Sequence, residues 1–167
     1  MTTTQQLKAA PPIRDFAGEL TRARQLVEAA RLETVERLEA HMLTLPQVEI
    51  PVIERFVNGM YTREIVIPAG TLLTGRVWKH DYVDIMLEGD ILVAIPSGTT
   101  RLTGSNVCDG QAGRKRAGYA FRDTRWITVQ RADQLEGQEP IEYLTFFSVA
   151  EYRAWQDTRQ LIRGAST

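Results

Sequence analysis

The spacing of apolar positions changes twice along the 167 residues. From Phe16 to Leu45 the chain is rich in helix formers, and its only glycine there, Gly18, lies near the start. Leu20, Ala23, Val27, Leu38, Met42 and Leu45 fall on one arc at 3.6 residues per turn, which predicts an amphipathic helix over 16–46. Arg31 and Thr34 interrupt that stripe, and the a/d repeat is not sustained, so a two-stranded coiled coil is disfavoured. Such a helix lies on a larger body or pairs with a copy of itself. Pro46 and Pro51 end it and open extended structure.

From residue 52 the period shortens. Runs rich in β-branched and aromatic residues, YTREIVI, TLLTGRVW, YVDIML, DILVAI, TTRL, RWITVQ and IEYLTFF, predict strands. Between them stand turn signals: PAG at 68–70, EGD at 88–90, PSG at 96–98, TGSN at 103–106 and DGQAG at 109–113. Many short strands at this spacing predict a sandwich or barrel, not a parallel βαβ sheet. The pattern then reverts to helix. Ser148-Val149-Ala150-Glu151 reads as a capping box, and Tyr152, Trp155 and Ile162 can share a face behind it. The expected organisation is a flexible tail over 1–15, a helix over 16–46, a β-barrel over 47–147, and a short C-terminal helix and tail over 148–167. The class is mainly β, α+β overall.

Composition narrows the function classes. With 43% hydrophobic and 25% charged residues the chain is an ordinary globular domain, large enough to bury a core. Its formal charge of −1 argues against bulk attraction to nucleic acid or membrane. A lone cysteine, Cys108, forbids an internal disulfide. The N-terminal twelve residues lack an apolar core for export, and no apolar run reaches the roughly 20 residues of a membrane span.

The stretch REIVIPAGTLLTGRVWKHDYVDIMLEGDILVAIPSGTTRLTG, followed by AGRKRAGYAFRDTRWITV, resembles the small cupins encoded by tailed bacteriophages and prophages. The likeness spans about residues 40–130 and rests on the IPAGT, KR-x-GYA and DT-x-W elements. It implies a cupin-type jelly-roll β-barrel, commonly oligomeric, made in the host cytoplasm or incorporated into the virion. Metal-binding cupins use several histidines and a carboxylate. The family pattern puts histidines where this chain has Trp78 and Tyr82; its second motif falls on Gln111, Gly113 and Arg116; its late-strand histidine falls on Gln130. A count of ligands agrees, because His41, His80 and Cys108 are the only imidazoles and thiol, whereas first-row metals want two or three such donors. No metal and no cofactor are expected.

Two sets of residues remain as candidates. Trp78, His80, Tyr82, Asp84, Arg116 and Gln130 would line the barrel interior, with Tyr82, Asp84 and Met86 on one side of their strand by alternation. Arg114, Lys115, Arg116, Tyr119, Arg122 and Arg125 concentrate cations and aromatic faces, the chemistry of an anionic-ligand or partner patch. No residue is assigned a catalytic role. These readings favour a non-catalytic, homo-oligomeric structural or binding module that takes other phage proteins as partners. The alternatives are a small cupin isomerase, epimerase or lyase working through Asp84, Tyr82, His80 or Arg116, and a counter-defence protein that sequesters a nucleotide-like anion.

Overall fold

The computed structural model describes residues 35–95, 98–132 and 141–164. The greater part of the expected N-terminal helix, 16–34, lies outside the described residues, as do both tails. What is described of it is α1, Val35–Met42, which buries Val35, Leu38 and Met42. It stops four residues before Pro46, because the Gln47 amide donates to the carbonyls of Met42 and Leu45, each at 2.8 Å, and closes the last turn.

Among the described residues nine strands follow, all paired antiparallel: β1 Val52–Val57, β2 Met60–Ile67, β3 Leu72–Thr74, β4 Val77–Trp78, β5 Tyr82–Ile95, β6 Gly98–Thr103, β7 Asn106–Gly110, β8 Ala117–Arg131 and β9 Thr145–Phe146. The principal sheet runs β1-β2-β8-β5-β6, with β3 also on β8 and β7 also on β5; β4 and β9 form a separate pair. The two long central strands each serve two partners. β8 pairs with β3 through 117–119 and with β2 through 124–131, while β5 pairs with β7 through 82–86 and with β6 through 90–95.

EGD, expected as a turn, is instead a bulge inside β5. Register against β8 shifts at Glu88, Asp90 and Ile91. The inserted residue reverses the alternation: Met86 faces the core before it, and Ile91 does so after it. Gly89 sits there at φ 140°, so close to β8 that a Cβ would lie 2.7 Å from the Thr124 Cα. IEYLTFF is not a strand throughout. Its first half is a helical turn, α2 (Ile141–Leu144), and only Thr145–Phe146 pairs, with β4. A turn of helix sends both Ile141 and Leu144 into the core, where an extended chain would alternate them, and the Thr145 hydroxyl donates to the Ile141 carbonyl at 2.7 Å.

Three apolar clusters result. Ile50, Val52, Ile65, Ile67, Leu73, Met86, Ile91, Ala120 and Trp126 fill the concave side of the sheet. α1 covers its convex side at Leu72, Ala94, Ala117 and Tyr119. Tyr61, Trp78, Tyr82, Ala132, Ile141 and Leu144 close one end. The C-terminal helix α3, Val149–Gly164, starts with the expected capping box: the Glu151 amide donates to Ser148 Oγ at 3.1 Å, and Glu151 Oε2 accepts from the Ser148 amide at 3.3 Å. Tyr152 and Trp155 pack on Phe146, whereas Ile162, expected on the same face, is 62% exposed.

Candidate functional site

The inward side of the sheet carries polar groups at matching register. β2, β8, β5 and β7 place Arg63, Thr128, Asp84 and Cys108 in one row across four strands. Tyr61 and Gln130 stand opposite each other one step along, and Ile65, Trp126 and Met86 one step the other way.

Asp84 is the anchor. It is fully buried, and Oδ1 accepts from the Trp126 indole at 2.9 Å and the Thr128 hydroxyl at 2.7 Å, while Oδ2 accepts from Arg116 Nη2 at 2.5 Å. A buried charge is tolerated only when paired and fully hydrogen-bonded, and Asp84 satisfies both conditions. Burial opposes the charge of Arg116, but Asp84 and Tyr82 hold its pKa above the ordinary arginine value. The guanidinium lies 5.3 Å from the Tyr82 ring and 5.9 Å from that of Trp126. Burial pushes the Tyr82 phenol up to about 12, so it stays protonated at neutral pH. Cys108 is pushed up by burial and by Asp84, which makes it a poor nucleophile.

Two cavities meet at this anchor. One, of about 90 Å³, is bordered by Arg63, Arg76 and Arg116, by Trp78 and Trp126, and by aliphatic side chains. The other, of about 190 Å³, shares Arg116, Trp126 and Val93 with it and adds Cys108, Asp109 and Arg114. Arg63 is nine-tenths buried; its Nε has no hydrogen-bond partner, and burial lowers its pKa. Both amide atoms of the buried Gln130 are likewise without a partner among the described residues.

Of the six interior candidates, Trp78, Tyr82, Asp84, Arg116 and Gln130 are drawn together on the inner face. His80 is not. It is exposed beside the first turns of α3, with its ring 6.0 Å from that of Trp155, and partial desolvation followed by Arg159 and Lys79 lowers its pKa. His41 is exposed on α1. Among the described residues no group of three His, Cys, Asp or Glu side chains is placed to hold a metal ion.

The basic stretch does not form one patch. Strand alternation and the preceding loop scatter it. Arg116 turns inward and Arg114 borders the second cavity. Lys115 is buried under α1, 2.7 Å from Glu39 Oε2, and donates to the Phe147 carbonyl. Tyr119 lies beneath α1, Arg122 is exposed, and Arg125 pairs with Glu64 at 2.5 Å. Sequence reasoning passed over Arg63, Arg76 and Thr128. The signal for Arg63 was the alternation in Tyr61-Thr62-Arg63-Glu64-Ile65, which puts a cation on the apolar side of β2.

No protein-family model matches the chain, and no curated protein matches it. Among solved structures it is similar to a cupin superfamily protein from Desulfitobacterium hafniense, at 10% identity over 56% of this chain and 87% of that one, TM-score 0.45. It is also similar to an RmlC-like cupin family protein with a double-stranded β-helix fold from Methanocaldococcus jannaschii, at 11% identity over 50% and 81%, TM-score 0.44. An ectoine synthase from P. lautus matches at 17% identity over 50% and 64%, TM-score 0.43. The structural neighbours are thus cupin-superfamily proteins, enzymes among them.

Proposed function

We propose that this chain is a non-catalytic binding module of the cupin type, whose interior holds a small molecule without transforming it. The observation that carries the reading is the state of Asp84, the one carboxylate in the inward row. Three donors from its own fold occupy it, so it is not poised to take a proton from a ligand. Its neighbours are a phenol that stays protonated and a thiol that resists ionisation. Groups of this kind fix a ligand and its orientation. They do not supply a base or a nucleophile.

The test is elemental analysis of natively purified protein, together with a turnover screen on sugar and keto-acid substrates. The expected result is no stoichiometric transition metal and no turnover. Stoichiometric iron, manganese or zinc, or measurable turnover, would restore the isomerase or lyase reading.

The same proposal includes self-association, with a role as virion component or accessory protein following from the sequence resemblance to phage cupins. Its support is the outer face of the sheet, where Ile53, Val57, Met60, Val66, Leu87 and Val107 are 38 to 72% exposed across four strands, β1, β2, β5 and β7. Soluble monomers rarely present so broad an apolar face, and a two-fold copy of the same face is the simplest cover. Sedimentation velocity should give a dimer or larger, and Val107→Glu should shift it toward monomer. A wild-type monomer at all concentrations would remove this part. Nucleotide sequestration is less well supported, since the arginines that suggested it point to different sides of the molecule.

A further inference from the structure

We propose that the inner cavity is a carboxylate site: Arg63 and Arg116 receive the charged head of a short-chain organic acid, and Trp78 and Trp126 flank it. The inference rests on the binding reading above and gives the ligand its chemical class.

Positive charge exceeds negative charge around this cavity. Three guanidiniums, Arg63, Arg76 and Arg116, border the cavity, no carboxylate is among its lining residues, and Asp84, the carboxylate of the inward row, is bonded to Arg116. Arg63 is nine-tenths buried and makes no ion pair among the described residues, and its Nε lacks a hydrogen-bond partner. Leaving a buried cation in that condition costs free energy that an anion in the cavity would recover. Tyr61 and Glu54 favour the Arg63 charge from a distance, but Glu54 itself accepts from the Tyr61 hydroxyl on the same hairpin.

Shape selects among anions. The cavity, of about 90 Å³, is on the scale of a carboxylate with a short substituent. The planar guanidinium fork matches a carboxylate through paired N–H···O bonds. The remaining walls include Ile65, Ile67, Leu73 and Ile91, which suit a hydrocarbon part and would be poor company for the fourth oxygen of a phosphate. A longer acid would extend past Arg116 and Trp126 toward the larger second cavity.

The experiment titrates the full chain with butyrate, butyramide and inorganic phosphate, reading indole NMR shifts of Trp78 and Trp126 and thermal stabilisation. Butyrate should shift both indoles and raise the melting temperature, with butyramide and phosphate at least tenfold weaker. Arg63→Met should weaken butyrate at least tenfold while melting no lower than wild type, since it replaces an unpaired buried cation with an apolar side chain. If butyramide binds as well as butyrate, or phosphate binds better, the carboxylate assignment is wrong and the binding module stands. Undiminished butyrate binding in Arg63→Met would move the site elsewhere. If none of the three probes perturbs either indole, the carboxylate site is refuted. Should a wider small-molecule screen then find no interior ligand either, the binding reading falls with it.

Discussion

Asp84 shows how a single side chain can be both the most polar and the most structural residue of an interior. Removing its charge in Asp84→Asn leaves the shape but strands the Arg116 cation, at a cost of about 3–5 kcal/mol in urea denaturation. Adding Arg116→Met should recover much of that loss, which distinguishes a stranded charge from simple mispacking. His80 gives a second expectation at this scale. Its folded-state pKa lies below the ordinary value, so the unfolded chain takes up the proton first. Stability should therefore fall as pH drops through about 6.5. An NMR titration should place the His80 midpoint below that value, and Arg159→Ala should raise it.

At the scale of elements, the bulge in β5 decides which residues meet. Without it, the alternation that turns Tyr82, Asp84 and Met86 inward would turn Ile91 and Val93 outward. Gly89→Ala would drive a methyl into Thr124, whose Oγ1 lies 2.4 Å from the position of that carbon, at a strained φ. The expected loss is about 3 kcal/mol by chemical denaturation, at the upper end for overpacking. A second element was legible but unread. Asn58-Gly59, with φ of 46° and 75°, is a two-residue type I′ turn between β1 and β2, and the Asn-Gly pair is the strongest short-range hairpin signal in the chain. The α2 turn was not legible. IEYL has the composition of a strand, and only the need to bury Ile141 and Leu144 together against Tyr61, Trp78 and Tyr82 makes it helical.

Across the whole molecule, α1 acts as a brace held by its own acids. Glu39 receives the Thr74 hydroxyl at 2.9 Å and pairs with the buried Lys115, while Glu36 accepts from the Val149 amide at 2.6 Å, at the start of α3. One short helix thereby joins the β3 region, the loop before β8 and the C-terminal helix. Glu39→Gln should cost about 3–5 kcal/mol in an equilibrium unfolding experiment, because it leaves the Lys115 cation buried without its carboxylate. Glu39→Gln/Lys115→Met should recover part of it. If Glu39→Gln unfolds like wild type, α1 is an ornament and not a brace.

What the sequence by itself determined is whatever depends on local period and composition: a predominantly β chain bounded by helical segments, the alternation that turns Tyr82, Asp84 and Met86 to one side, the capping box, and a scarcity of imidazole and thiol donors. What only the tertiary structure decided is which polar residues share a volume. Arg63 and Asp84 come from separate strands and Arg116 from the loop before β8, and neighbours in the basic stretch end on different sides because strand alternation and that loop turn them apart.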